Sequence, residues 1–145
     1  MSELRPVLNQ LNLVVRDMEA AFSFYRLLGL DIPTDAARRS GGHHAEVELP
    51  NGFVLEFDSS ALAKIYNANA REPRGGGCVI GFALPSREAV DRLFAKLTAA
   101  GHAACQPPYD AFWGARYAVV ADPDGNQVSL MSPLDPTRRS APPEL

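Results

Sequence analysis

Apolar residues recur with a period near 3.6 over two stretches, 18–28 and 87–100, and alternate with polar residues through most of the remaining chain. In the first stretch Ala21, Phe22, Tyr25 and Leu28 share one helix face, with Asp17 as the expected N-cap and Gly29 as the stop. In the second, Val90, Leu93, Phe94 and Leu97 do the same between a Ser86 cap and a Gly101 stop. Period-two alternation predicts strands over 8–15, 43–49 and 53–58, with a weak one at 31–36, and then over 78–84, 103–106, 115–121 and 127–131. Asn51-Gly52 and Asp124-Gly125 have the residue types of hairpin turns. There is room for one helical turn at 62–66. The proline-rich end, with Arg138-Arg139, is expected to be a poorly ordered tail or an arm on a neighbour.

The pattern is a repeat. Glu19-Ala20 aligns with Glu88-Ala89 and Tyr25 with Phe94 at an offset of 69, and this lays the first strand over the strand at 78–84. Later the match returns at an offset of 73, where Pro50-Asn51-Gly52 aligns with Pro123-Asp124-Gly125. Each copy reads as strand, helix and three strands, so the expected class is α+β with two βαβββ modules in a single domain. Module 1 spans about 7–58, a linker 59–77, module 2 about 78–133, and a tail 134–145.

Composition narrows the chemistry. The 145 residues are 46% hydrophobic and 21% charged, which suits a globule large enough to need neither a disulfide framework nor a structural metal. A net charge of −3 offers no phosphate-neutralising surface, so nucleic acid is not an expected partner. No run approaches the roughly 18 apolar residues of a membrane span, and the first ten residues lack a secretory apolar core. A cytoplasmic location, with no membrane partner, is therefore expected. Cys78 and Cys105 read as small packed residues, and Gly75-Gly76-Gly77, without a following GK[ST], as a flexible joint rather than a phosphate loop.

The helix start VVRDMEAAFSFYRLLGL and the closing hairpin ADPDGNQVSLMSP, set in two βαβββ modules, resemble the vicinal oxygen chelate superfamily. That group includes glyoxalase I, bleomycin- and fosfomycin-resistance proteins and extradiol dioxygenases. The resemblance covers about residues 7–133. It implies mixed sheets curled around a cleft, commonly in a homodimer, and a shared cavity rather than one shared reaction.

Alternation assigns the expected cleft face. In module 1 it carries Gln10, Asn12 and Val14, then His44, Glu46 and Glu48, then Val54, Glu56 and Asp58. In module 2 it carries Val79, Gly81 and Ala83, and Gln127, Ser129 and Met131. Arg116, Ala118 and Val120 are placed toward the cleft as well, because a guanidinium beneath a helix would lack partners. The first half of the cleft is thus polar and the second mostly apolar.

Metal-dependent relatives of the resembled family place four ligands at positions that correspond here to Gln10, Glu56, Val79 and Ser129. Valine has no donor atom and a neutral hydroxyl is a poor substitute for a carboxylate, so no metal cofactor is expected. A displaced site would have to use Gln10, His44 and Glu56, with Glu46 nearby. The run Pro107-Pro108-Tyr109-Asp110-Ala111-Phe112-Trp113-Gly114-Ala115-Arg116 holds the only tryptophan and resembles the aromatic loop of drug-binding relatives. Trp113 and Phe112 either supply flat apolar area to a ligand or plug the loop and pack on a neighbour.

The expected function is metal-independent capture of a small, partly aromatic molecule, antibiotic-like or a metabolite. It would stack on Trp113 and Phe112, take polar contacts from Gln10, Asn12, His44, Glu46, Glu56 and Arg116, and bury apolar area against Val79, Ala118, Ser129 and Met131. No residue is assigned a catalytic role. The alternative is a glyoxalase-like lyase, isomerase or dioxygenase with the displaced metal site, and a third reading is a structural dimer whose cleft is self-filled.

Overall fold

Asp17 stands in extended conformation and accepts the Ala20 N–H (3.1 Å), so the chain turns into helix α1, Met18–Leu27, where the pattern predicts. Gly29, at φ 88°, ends it. The computed structural model describes residues 4–144. The chain divides into two compact units, Met1–Pro73 and Arg74–Leu145, close to the two modules of the repeat.

In the first unit β1 (Gln10–Val15) precedes α1, and β2 (His44–Glu48) and β3 (Val54–Ser59) follow it. The sheet order is β1-β3-β2, with β1 parallel and β2 antiparallel to β3. Phe22 and Tyr25 of α1 close on Phe57 with ring centroids 5.6 and 5.3 Å apart, and all three side chains are fully buried. A seven-residue helix α2, Ser60–Tyr66, capped by Ser59, leaves the end of β3.

The weak strand expected at 31–36 does not form. Arg26 reaches from α1 to take the carbonyls of Ile32 (3.0 Å) and Pro33 (2.6 Å), and Pro33 has no N–H, so the peptide groups a ladder would need are already used or missing. The segment turns instead, burying Ile32 and Ala36.

The second unit contains β4 (Val79–Ala83), α3 (Arg87–Ala99), β5 (Ala104–Asp110), β6 (Arg116–Ala121) and β7 (Gln127–Met131). Its order is β4-β7-β6-β5, so it keeps the fourth strand that the first unit lacks among the described residues. Strand β5 runs four residues beyond the expected end at 106 and takes in Pro107 and Pro108. An edge strand tolerates prolines because its outer N–H groups meet no partner strand, and two register shifts against β6 absorb them. In the closing hairpin the Asp122 carboxylate accepts the Asp124 and Asn126 N–H groups and the Asn126 amide, so DPDGN builds a turn. Gly75 sits against the backbone of that turn, where a Cβ would come within 2.2 Å of Gly125; the triple glycine begins with a packed position, not a free joint.

The tail also departs from expectation. The Asp135 N–H donates to the Gly114 carbonyl and the Ser140 N–H to Phe112, so residues 134–140 lie along their own unit's 111–114 turn. Among the described residues no helix is long and apolar enough to cross a membrane. Phe57→Ala removes the ring that joins α1 to the first sheet and should lower unfolding free energy by about 3–5 kcal/mol. Urea denaturation followed by far-UV circular dichroism checks this.

Candidate functional site

Cross-strand register turns the alternation of the first unit into a grid. On the sheet face away from the α1-packed Leu55 and Phe57, one row reads Asn12, Glu56, Glu46 and the next Val14, Asp58, His44. Gln10, Val54 and Glu48 form a third row. The polar residues assigned to that face by alternation, the expected ligand contacts Gln10, Asn12, His44, Glu46 and Glu56 among them, therefore share it with Glu48 and Asp58.

Asp58 is the hub of that face and is only 1% exposed. One carboxylate oxygen meets His44 Nδ1 at 2.7 Å, while the other accepts from Asn12 Nδ2 (2.9 Å) and the Tyr66 hydroxyl (3.0 Å). Asn12 Nδ2 also donates to Glu56 Oε2 at 2.5 Å, and Gln10 Nε2 donates to Asn12 Oδ1 at 2.8 Å. From exposed Gln10 inward, each polar group is thus oriented by the next. Asp58 belonged to the inward-facing set by alternation but not to the expected site; Tyr66 was legible only as part of a short helix.

The electrostatics follow from this wiring. The hydrogen bond to Asp58 raises the His44 pKa above its ordinary 6.5, against the opposing effect of burial, and the charges of Asp58, Glu56 and Glu46 add to the rise. Burial pushes the Asp58 carboxyl up, but hydrogen bonds from Asn12, His44 and Tyr66 outweigh it and hold the group below its ordinary 3.8. Burial, then the bond to Asp58, raises the Tyr66 phenol.

Ligand atoms of His44, Glu56 and Asp58 lie within 4.8 Å of one another. His44 Nδ1, Glu56 Oε2 and both Asp58 oxygens are already hydrogen-bonded. A cation between Asp58 Oδ1 and His44 Nδ1 would displace the hydrogen bond that joins them, while Asp58 Oδ2 is already taken by Asn12 and Tyr66. Gln10 gives no help, because β3 separates β1 from β2 and Gln10 pairs four residues before the His44 partner on it, which holds the two backbones roughly 16 Å apart. At the positions the resembled family uses, Val79 has no donor and Ser129 only a hydroxyl. Those two positions therefore offer neither a carboxylate nor an imidazole.

The second unit presents a different surface. Ala83, Met131, Tyr117 and Tyr109 form one row across its four strands, and Gly81, Ser129 and Val119 lie in the next. Gly81, Phe82, Ala83, Ser129 and Met131 line a shallow depression of about 230 Å³. Half-buried Trp113 packs edge-on against Tyr117 (5.2 Å), Phe112 (5.1 Å) and Tyr109 (6.4 Å). Gly114 makes this turn possible: φ is 95°, and a Cβ would stand 2.5 Å from the Asp135 carbonyl. Val79 is half exposed at the start of β4.

Arg116 is a correction. Its Nε donates to Asp91 of α3 (2.9 Å) and its Nη1 to Asp110 (3.2 Å), and Arg87 also binds Asp110. The guanidinium therefore lies on the helix side, where two carboxylates supply the partners that the sequence argument assumed were missing. Strand β6 is in the opposite phase from that expected: Ala118 and Val120 pair with Leu130 and Val128 and are fully buried with them. Tyr117 and Val119 take the other face. Tyr117 was not legible as a face residue because the YAVVA run allows either phase, and Tyr109 because it lies beyond the expected end of its strand at 106.

A strand-helix-sheet unit repeated within one chain defines the class. The family model described as the glyoxalase/bleomycin resistance protein/dioxygenase superfamily matches residues 7–130, and the chain belongs to that family. Among solved structures, a glyoxalase/bleomycin resistance protein/dioxygenase from Nocardioides is 28% identical, with TM-score 0.69 and coverage of 99% of this chain and 92% of that one. A glyoxalase/bleomycin resistance protein from Albidiferax ferrireducens T118 is 26% identical, with TM-score 0.64 over 86% and 97%. A glyoxalase-related enzyme from Fulvimarina pelagi shares the fold at TM-score 0.75, with 24% identity over 90% and 89%. No curated protein matches the chain.

Two limbs in the pH dependence of stability should follow from the Asp58 hub. A depressed Asp58 pKa stabilises fully above 3.8, and this is lost as pH falls through its folded-state value; a raised His44 pKa stabilises fully below 6.5, and this is lost as pH rises through its folded-state value. The melting temperature should therefore be highest between about pH 4 and 6.5. Asp58→Asn should flatten both limbs and cost about 2–4 kcal/mol, measured by calorimetry across the pH range.

Proposed function

We propose that this protein captures a small, partly aromatic organic molecule stoichiometrically, without a resident metal and without converting it. The observation that carries this reading is the aromatic row of the second unit, where Tyr109, Tyr117 and Trp113 lie on the same sheet face as the apolar depression at Gly81, Ser129 and Met131. Half-exposed flat rings held edge-on to one another cost little conformational entropy when a planar ligand stacks on them. Such surfaces bind by area and shape, and no group on this one is set up to move a proton or electrons.

The polar face of the first unit supports recognition of a different kind. Asn12 and Asp58 fix Glu56 and His44 in place, so these groups meet a ligand pre-oriented rather than as free rotors. An antibiotic-like compound or aromatic metabolite fits the flat, apolar chemistry of the second unit's surface. We further propose a homodimer in the cytoplasm; the exposed free thiols of Cys78 and Cys105 suit a reducing compartment.

The test is a titration of Trp113 fluorescence with planar aromatic compounds of cationic, neutral and anionic charge. At least one class should quench it saturably at one ligand per chain. By calorimetry Trp113→Ala and Tyr117→Ala should each weaken that ligand about tenfold, while the ligand is recovered unchanged. Turnover of the bound compound, or binding that requires stoichiometric metal and disappears with a chelator, would overturn the reading.

A further inference from the structure

The missing fourth strand of the first unit leaves a chemical consequence at the outer edge of β2. The Ser59 N–H donates to the His43 carbonyl (2.9 Å), and the Leu49 N–H donates to Phe53 (2.8 Å), so the odd-numbered residues of β2 turn their peptide groups toward β3. The peptide groups of His44 and Glu46 therefore face away from the sheet. In the second unit the corresponding edge of β6 is covered by β5; here no strand covers it among the described residues.

The segment that fails to form a strand wraps around this edge instead and encloses a depression of about 260 Å³. Its apolar floor is Pro33, Ala36 and Ala45. Two opposite charges stand on its wall. Arg39 pairs through Nε with Asp35 at 3.0 Å, so its Nη groups are the part left to meet a ligand; Glu46 belongs to β2 itself, and both side chains are mostly exposed. Between them lies His44, whose ring is anchored from beneath by Asp58, with Nε2 at 3.8 Å from Glu46. Arg39 is delivered by a turn in which Ser40, Gly41 and Gly42 all adopt positive φ, and Ser40 is the one described residue other than glycine to do so. A Cβ on Gly42 would come within 2.7 Å of the Ala37 carbonyl, so the turn is tightly seated.

The geometry points to a binding site for a small zwitterion of the α-amino-acid type at the β2 edge, distinct from the aromatic surface of the second unit. The ligand carboxylate takes the outward edge of Arg39, where a planar guanidinium binds it with charge-assisted hydrogen bonds. The ammonium takes the Glu46 carboxylate, and the outward peptide groups of His44 and Glu46 supply a donor and an acceptor as an added strand would find them. The side chain rests on Pro33 and Ala36. The volume is below the range of roughly 300–1,000 Å³ usual for drug-sized ligands and suits a single amino acid. A purely anionic or purely cationic ligand would satisfy one wall and leave the other charge opposed to it.

The experiment uses three matched probes on the full chain: L-leucine, 4-methylpentanoate, which lacks its amine, and 3-methylbutylamine, which lacks its carboxylate. Titrations followed by ¹H–¹⁵N correlation spectra should show leucine shifting the amides of Ser40, His44 and Glu46 at least about tenfold more tightly than either half-molecule. Arg39→Gln and Glu46→Gln should each weaken leucine by about tenfold or more, while Glu48→Gln, further along the same strand, leaves it unchanged. The proposal fails if either half-molecule binds as well as leucine, if the shifts map elsewhere, if leucine does not bind at millimolar concentration, or if both wall variants bind it normally. Because Trp113 takes no part, these outcomes are independent of the aromatic-ligand titration.

Discussion

A carboxylate with almost no solvent has to be surrounded by donors, and in the first unit that requirement organises everything on the polar side of the sheet. Asp58 collects Asn12 from β1, His44 from β2 and Tyr66 from α2, so one side chain ties together two strands and a helix beyond its own strand. The cost of leaving such a group unpaired exceeds what any single surface contact contributes, so the donors are held where they are. Glu56 and the His44 ring then inherit fixed positions. The acidic face is presented in a set geometry because one of its acids is buried.

The two copies of the module have diverged along complementary lines. The second retains its fourth strand and uses the face opposite α3 for rings and small side chains, with Trp113 raised on a turn that only glycine at 114 permits. The first has replaced that strand with an Arg26-anchored turn and uses its free face for carboxylates, amides and histidine. A fold whose members share a scaffold rather than a reaction tolerates such changes, because α1 and α3 cover the other face of each sheet and carry the packing. Val79 and Ser129 share the apolar face of the second sheet with Gly81 and Met131.

Much of this was legible in the chain. The helices, their caps, the hairpin turns and the repeat follow from periods of 3.6 and 2 and from glycine placement, all of which are local. The polar face of the first unit was legible for the same reason: Gln10, Asn12, Glu56 and His44 alternate with Leu11, Leu13, Leu55 and Ala45, which have no other place to go than the core. Arg116 was misplaced because YAVVA is apolar in both phases, so the direction of its side chains depends on Asp91, 25 positions away. The strand at 31–36 failed for a similar reason, since Arg26 competes for its carbonyls from the next element.

By itself the sequence determined the two modules, their caps and turns, and the lack of a donor at position 79, because each of these depends on residue type and near neighbours. Only the tertiary structure decided that Asp58 rather than Glu56 is the hub, that Arg116 belongs to α3, that Tyr109 and Tyr117 join Trp113, and that the edge of β2 stays open. Each of those outcomes is a contest between partners distant in the chain for one hydrogen bond or one face. Such contests are resolved by cross-strand register and helix packing, which no local period encodes.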